Sequence, residues 1–182
     1  MKRVLVFIAN GFEEAEAICT IDVLKRANID VVLAGVEGDL ISSTHGIKIK
    51  CDSSLDSIDY KQFDAFFCPG GMPGALNLAQ SWAVNEILVK AYNEGKVISA
   101  ICASPALVFG PLGLLKGKKA TCFPGCESYS PDVVFSSDGV VVDGRIITAK
   151  AAGFAFDLGL KLVEVLIGKS TSDKIKANIY YK

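Results

Sequence analysis

In the segment Val97-Ile98-Ser99-Ala100-Ile101-Cys102-Ala103-Ser104-Pro105-Ala106, a β-type apolar run ends in a cysteine and turns at once into a helix start. This spacing puts Cys102 on a strand-to-helix elbow, where a side chain is held on a sharp turn at the carboxyl end of a strand. The backbone N–H groups that follow then point at its sulfur. A helix start favours thiolate over thiol and takes a cysteine pKa from about 8.5 toward roughly 3.5–7.5. The chemistry expected here is therefore that of a nucleophilic, low-pKa thiol.

Two further loops carry groups that could serve such a thiol. In Asn10-Gly11-Phe12-Glu13-Glu14-Ala15-Glu16, a carboxyl on the first helical turn could donate a hydrogen bond to a thiolate or move a proton to and from a substrate. Spacing alone does not choose among Glu13, Glu14 and Glu16, and acids at a helix start are also simply favourable charges against the helix dipole. In Cys68-Pro69-Gly70-Gly71-Met72-Pro73-Gly74, the glycines let backbone N–H groups approach an anion closely. The N–H groups of Gly71 and Ala103 could together form an oxyanion hole. The one histidine, His45, lies in a polar turn and reads as a surface residue.

The elements that must position these residues alternate. Strands are expected at Val4–Ala9, Val31–Ala34, Ala65–Phe67, Val97–Ile101 and Ile146–Ala149, and helices at Glu14–Ala27, Val84–Asn93, Ala103–Phe109 and Phe154–Ile167. Leu40–Ile49 reads as a small hairpin, Lys119–Cys122 as extended, and Val133–Phe135 with Val140–Val142 as a hairpin turned at residues 137–139. Such alternation makes an α/β sandwich, a mostly parallel sheet with helices on both faces, whose ligands bind beyond the carboxyl ends of the strands. No repeat or linker divides residues 1–182, so one domain is expected.

Composition narrows the partners. With 19 basic and 20 acidic residues, a net charge of -1 and no basic run, the chain has no electrostatic footprint for nucleic acid or a membrane surface. The opening apolar run, Val4 to Ala9, is too short to cross a bilayer and is followed by acids, not by a cleavage pattern, so a cytoplasmic protein is expected. Six cysteines without a Cys-x-x-Cys pair then read mostly as small buried hydrophobes.

The order of these motifs resembles the DJ-1/ThiJ/PfpI superfamily, and its DJ-1/ThiJ branch more than the PfpI proteases. The resemblance rests on Gly11-Phe12-Glu13-Glu14-Ala15-Glu16, Ala34-Gly35, Pro69-Gly70-Gly71, Ala100-Ile101-Cys102-Ala103 and Ala152-Gly153, and spans essentially the whole chain. It implies a flavodoxin-like three-layer sandwich with a nucleophile elbow, a homodimer, and no metal or other cofactor. It places the reactive cysteine on Cys102, its partner glutamate on Glu16, and the substrate- and oxyanion-binding groups on Gly70, Gly71 and Ala103.

The resemblance implies two functions. One is a glyoxalase or protein deglycase acting on methylglyoxal, glyoxal or their protein adducts; the other is a stress sensor or redox-regulated chaperone working through oxidation of Cys102 to sulfinate. The sequence departs from the family twice. Thr121-Cys122-Phe123-Pro124 has Phe123 where glyoxalase-competent relatives carry histidine, and Lys150 stands where the family has an arginine near the cleft. The first departure makes weak turnover the expectation, and the second limits anion binding to a point charge.

Overall fold

The computed structural model describes all 182 residues. The chain forms β1 (Arg3–Ile8), α1 (Glu14–Arg26), β2 (Asp30–Gly35), β3 (Leu40–Ser42), β4 (Lys48–Lys50), β5 (Ser53–Ser54), β6 (Ala65–Cys68), α2 (Gly74–Gln80), α3 (Trp82–Asn93) and β7 (Val97–Ile101). After a short helical turn at Pro105–Phe109 come β8 (Val140–Asp143), β9 (Ile146–Ala149), α4 (Ala155–Leu166) and α5 (Lys169–Asn178).

The main sheet has the order β5-β2-β1-β6-β7-β9-β8. Every pairing is parallel except β8 with β9. Strand order reverses between β1 and β6, so the carboxyl ends of β1, β6 and β7 flank the switch point at which this architecture binds ligands.

Strand alternation builds a core on each face. Val4, Val6 and Ile8 of β1 pack with Ile21 and Leu24 of α1 and with Leu158 and Leu162 of α4. Leu5 and Phe7 point the other way, toward Val84 and Leu88 of α3 and Phe109. These are the two outer layers of a flavodoxin-like α/β fold, with the sheet between them. No helix is long and apolar enough to cross a membrane.

Several elements differ from expectation. Val140–Asp143 pairs with Ile146–Ala149 across a two-residue turn that has Gly144 at φ 61°, and not with Val133–Phe135. The Gly144 turn lies next to a complete strand, whereas Phe135 makes only an isolated bridge to Ala120. The small β3–β4 hairpin forms as expected. Helices α2 and α5 and the short strand β5 carried no strong apolar period and were not expected. In α1, Ile21 and Leu24 are buried while Ile18 stays 44% exposed.

Helices α1 and α4 meet at a glycine. A Cβ on Gly159 would lie 2.8 Å from the Val23 Cβ, so only hydrogen permits this approach. Gly159→Ala should lower unfolding free energy by about 1 kcal/mol, because overpacking (typically 1–3 kcal/mol) outweighs the helix-propensity gain of roughly 1 kcal/mol. Urea denaturation checks this.

Candidate active site

The three acids after β1 divide into three roles. Glu13 caps α1, its Oε2 accepting the Glu16 N–H at 2.8 Å. Glu14 Oε1 meets His45 Nδ1 of the β3–β4 hairpin at 2.9 Å, so the half-buried Glu14 and the exposed His45 occupy each other at the surface. Glu16, two residues further round the helix, points inward and is 1% exposed. Its Oε2 accepts the Gly70 N–H at 2.9 Å.

The loop after β6 is pressed against the same carboxyl. Glu13 N–H donates to the Gly70 carbonyl at 3.0 Å, and Ser104 Oγ donates to the Pro69 carbonyl at 2.5 Å. A Cβ on Gly70 would stand 2.5 Å from the Cys102 Cβ and 2.6 Å from Glu16 Oε2. Gly70 therefore has to be glycine for the carboxyl and the thiol to meet. Gly71 adopts φ 88°, which favours glycine again.

Cys102 sits on the elbow in the left-handed region, at φ 63°. For a non-glycine residue this costs on the order of 1–3 kcal/mol and persists only where the surroundings enforce it. Here Cys102 N–H donates to the Ala149 carbonyl at 2.9 Å, and its own carbonyl accepts the Phe123 N–H at 2.7 Å. The thiol hydrogen-bonds with the Glu16 carboxyl and also meets the backbone N–H groups of Gly71 and Ala103.

The lowered thiol pKa expected from the elbow is not found. Burial, with the Glu16 carboxylate beside it, pushes Cys102 up to about 12, against the pull of the Gly71 and Ala103 N–H groups. The helical turn after the elbow, Pro105–Phe109, is only 5 residues long and supplies too little dipole to offset burial. Burial likewise pushes Glu16 up to about 7, although the hydrogen bonds from Cys102 and Gly70 favour its charged form. Between about pH 7 and about 12 the pair therefore shares one proton. It exists either as carboxylate with thiol or as carboxylic acid with thiolate, and its titration belongs to both groups.

Sequence reasoning placed Cys102, Glu16, Gly70, Gly71 and Ala103 in one site, and the structure brings these five together. It leaves Lys150 outside, with Nζ donating to the Ser137 carbonyl. Phe123 is at the elbow through its backbone, its side chain 45% exposed. Ser104 was missed; a hydroxyl next to the elbow in an otherwise apolar run was the available signal. A cavity of about 650 Å³ lined by Lys2, Lys96, Val97 and Arg145 lies at the opposite end of the strands and takes no part in the site.

A strained cysteine elbow beside a buried glutamate, at the switch point of a flavodoxin-like sheet, defines a class of cysteine-centred α/β proteins. The chain belongs to the DJ-1/PfpI family, whose model matches residues 2–165. It is 38% identical over 176 residues to Protein DJ-1 homolog B of Arabidopsis thaliana, covering 96% of this chain but only 40% of that longer protein. It is 33% identical to the glutathione-independent glyoxalase DJR-1.2 of Caenorhabditis elegans, covering 90% of this chain and 87% of the relative. The structure of oxidized Toxoplasma gondii DJ-1 superposes with a TM-score of 0.95 at 36% identity, covering 100% of this chain and 99% of that one.

The shared proton sets the pH behaviour. Cys102 alkylation should rise through about pH 7 as the pair loses its first proton; in Glu16→Gln that step should vanish, leaving a single rise above the ordinary thiol range. Stability should respond as well. A carboxyl raised from 4.5 to about 7 binds more protons folded than unfolded between those values, so unfolding free energy should fall there as pH rises. The fall is at most about 1.4 kcal/mol per pH unit from this group, and Glu16→Gln should flatten it. Denaturant midpoints between pH 4.5 and 7 measure both chains.

Proposed function

We propose that the protein is a cysteine-dependent, cofactor-independent enzyme acting on 2-oxoaldehydes such as methylglyoxal and glyoxal, or on their protein adducts. The observation that carries this reading is the buried Glu16 carboxyl hydrogen-bonded to the Cys102 sulfur, which also meets the Gly71 and Ala103 N–H groups. The glyoxalase name of the nematode relative supports it.

In this reading the thiolate adds to the aldehyde carbon, and protonated Glu16 gives its proton to the new alkoxide, which the two N–H groups hold. The Glu16 carboxylate then takes the proton from the former aldehyde carbon and returns it to the neighbouring carbonyl carbon, while the hydroxyl proton of the first carbon passes to the oxygen of the second. This oxidises the first carbon to a thioester and reduces the second to an alcohol. Water releases the 2-hydroxy acid and restores the thiol. One carboxyl handles every proton.

A second reading is an oxidative-stress sensor or redox-regulated chaperone, in which Cys102 climbs from sulfenate to sulfinate. It is favoured by Phe123, which removes the histidine position, and by the oxidized state named for the Toxoplasma gondii neighbour. We further propose that the protein works in the reducing cytoplasm as a symmetric homodimer. The dimer is supported by exposed Ile18 on α1 and by Leu40 and Ile47 on the hairpin that leans against the start of that helix.

Cys102→Ser should abolish 2-hydroxy acid formation from methylglyoxal, and wild-type turnover should be slow. Phe123→His should raise it by about tenfold or more, since one positioned general acid–base is worth about 10²–10⁴-fold. Product assays on the three chains decide this. Turnover unchanged in Cys102→Ser would remove the enzyme reading, and graded peroxide with intact-mass analysis then tests the sensor. Light scattering at micromolar concentration should report a dimer.

A further inference from the structure

The cavity of about 650 Å³ at the amino ends of the strands is built by the sheet register. β1, β6, β7 and β9 are consecutive in the sheet and parallel, so their starts share one edge. Each is immediately preceded by a charged residue: Lys2, Asp64, Lys96 and Arg145 in turn. Val4 lies opposite Ala65, Ala65 opposite Val97, and Ile98 opposite Ile146, so these four residues stand on neighbouring strands about 4.8 Å apart. Lys61 joins them from the turn before β6, where its carbonyl accepts the Lys96 Nζ at 2.9 Å.

The lining therefore holds four cations and one acid, although the chain as a whole has 19 basic and 20 acidic residues. Lys2 Nζ pairs with Asp64 Oδ1 at 2.9 Å and cancels that acid. Lys96 gives its ammonium to the Tyr60 and Lys61 carbonyls at 3.2 and 2.9 Å, and Glu94, 3.9 Å away, offsets part of its charge. Asp143, close to Arg145 in sequence, is held by Lys118. Lys61 and Arg145 are left without a carboxylate, and Arg145 spends only Nη1, on the Gly95 carbonyl. Like charges held side by side repel, and an anion bound between them relieves that repulsion.

Apolar side chains complete the lining. Phe63 and Val97 are buried, and Val165, on the last turn of α4 beside Leu166, leaves 42% of its surface exposed. Cations next to an uncovered apolar wall fit an anion that carries an apolar body. We propose that this cavity binds an organic phosphate, at a site distinct from Cys102. Lys61 and Arg145 hold the phosphate oxygens, Lys96 adds its charge from nearby, and the organic body lies on Val165 and Leu166. A phosphate ester, with nearly two negative charges at neutral pH, matches the two unpaired cations better than a monocarboxylate does. The volume falls within the roughly 300–1,000 Å³ of small-molecule sites.

The test titrates the full chain with phenyl phosphate at low ionic strength, beside inorganic phosphate, which lacks the apolar body, and benzoate, which carries a single charge. The amide signals of Gly95, Lys96, Gly144 and Arg145 should shift saturably, and calorimetry should rank phenyl phosphate above both of the others. Lys61→Gln and Arg145→Gln, at two exposed positions, should each weaken phenyl phosphate about tenfold, as expected for the loss of one charge-assisted contact. Val165→Ser should bring phenyl phosphate down toward the affinity of inorganic phosphate. Shifts confined to Gly71, Ala103 and their neighbours would place the anion at the Cys102 site and overturn the proposal. So would unchanged affinity in both glutamine variants, phenyl phosphate binding no tighter than benzoate or inorganic phosphate, or the absence of any saturable shift.

Discussion

A carboxyl and a thiol buried against each other cannot both ionise, and the site depends on that constraint. Coulomb repulsion and desolvation each oppose a second negative charge, so one proton is retained between Glu16 and Cys102. Where it sits is decided by donors of opposing effect. The Gly70 N–H stabilises the carboxylate, while the Gly71 and Ala103 N–H groups stabilise the thiolate. Adjacent peptide units of one loop thus favour the two alternative states, and small changes in that loop would redistribute the proton.

Such a balance requires rigid geometry, and the surrounding bonds supply it. The left-handed Cys102 is anchored through its N–H to β9 and through its carbonyl to Phe123, while Ser104 ties the residue pair after the nucleophile to the Pro69 carbonyl. Each bond contributes roughly 0.5–1.5 kcal/mol net, so together they offset an elbow strain of about 1–3 kcal/mol. Both faces of the sheet contribute. Glu16 arrives on α1 from one layer, and the turn after Cys102 is packed into the other through Val108 and Phe109.

Much of this was legible from residue types. The alternation of apolar runs and helical patterns identified β1, β6, β7 and β9 and the helices α1, α3 and α4, because these carry the buried faces. The nucleophile was visible because an apolar strand ran into Cys102, and the anion-binding loop because Gly70 and Gly71 followed one. Spacing could not sort Glu13, Glu14 and Glu16; the family resemblance pointed to Glu16, and the structure shows one capping, one paired with His45 and one buried. The thiol pKa was misread because local sequence shows the helix start but not the burial or the partner carboxylate, which come from β6 and α1. The hairpin through Phe135 was misread because its turn signal competed with Gly144, and register is settled by the neighbouring strand.

The two readings of the site make unequal demands on Glu16. Attack of the thiolate on a peroxide oxygen needs a single proton, delivered to the departing oxygen. Conversion of a 2-oxoaldehyde needs one proton delivered to an alkoxide, one taken from a carbon and one returned to the next carbon. Phe123, whose N–H reaches the Cys102 carbonyl, has no ionisable group to share that work, and the Lys150 ammonium is held by the Ser137 carbonyl. The backbone N–H groups can hold a developing oxyanion but cannot carry a proton between carbons. On the proposed enzyme reading every proton step falls to Glu16 alone, whereas attack on a peroxide oxygen asks for no second proton carrier.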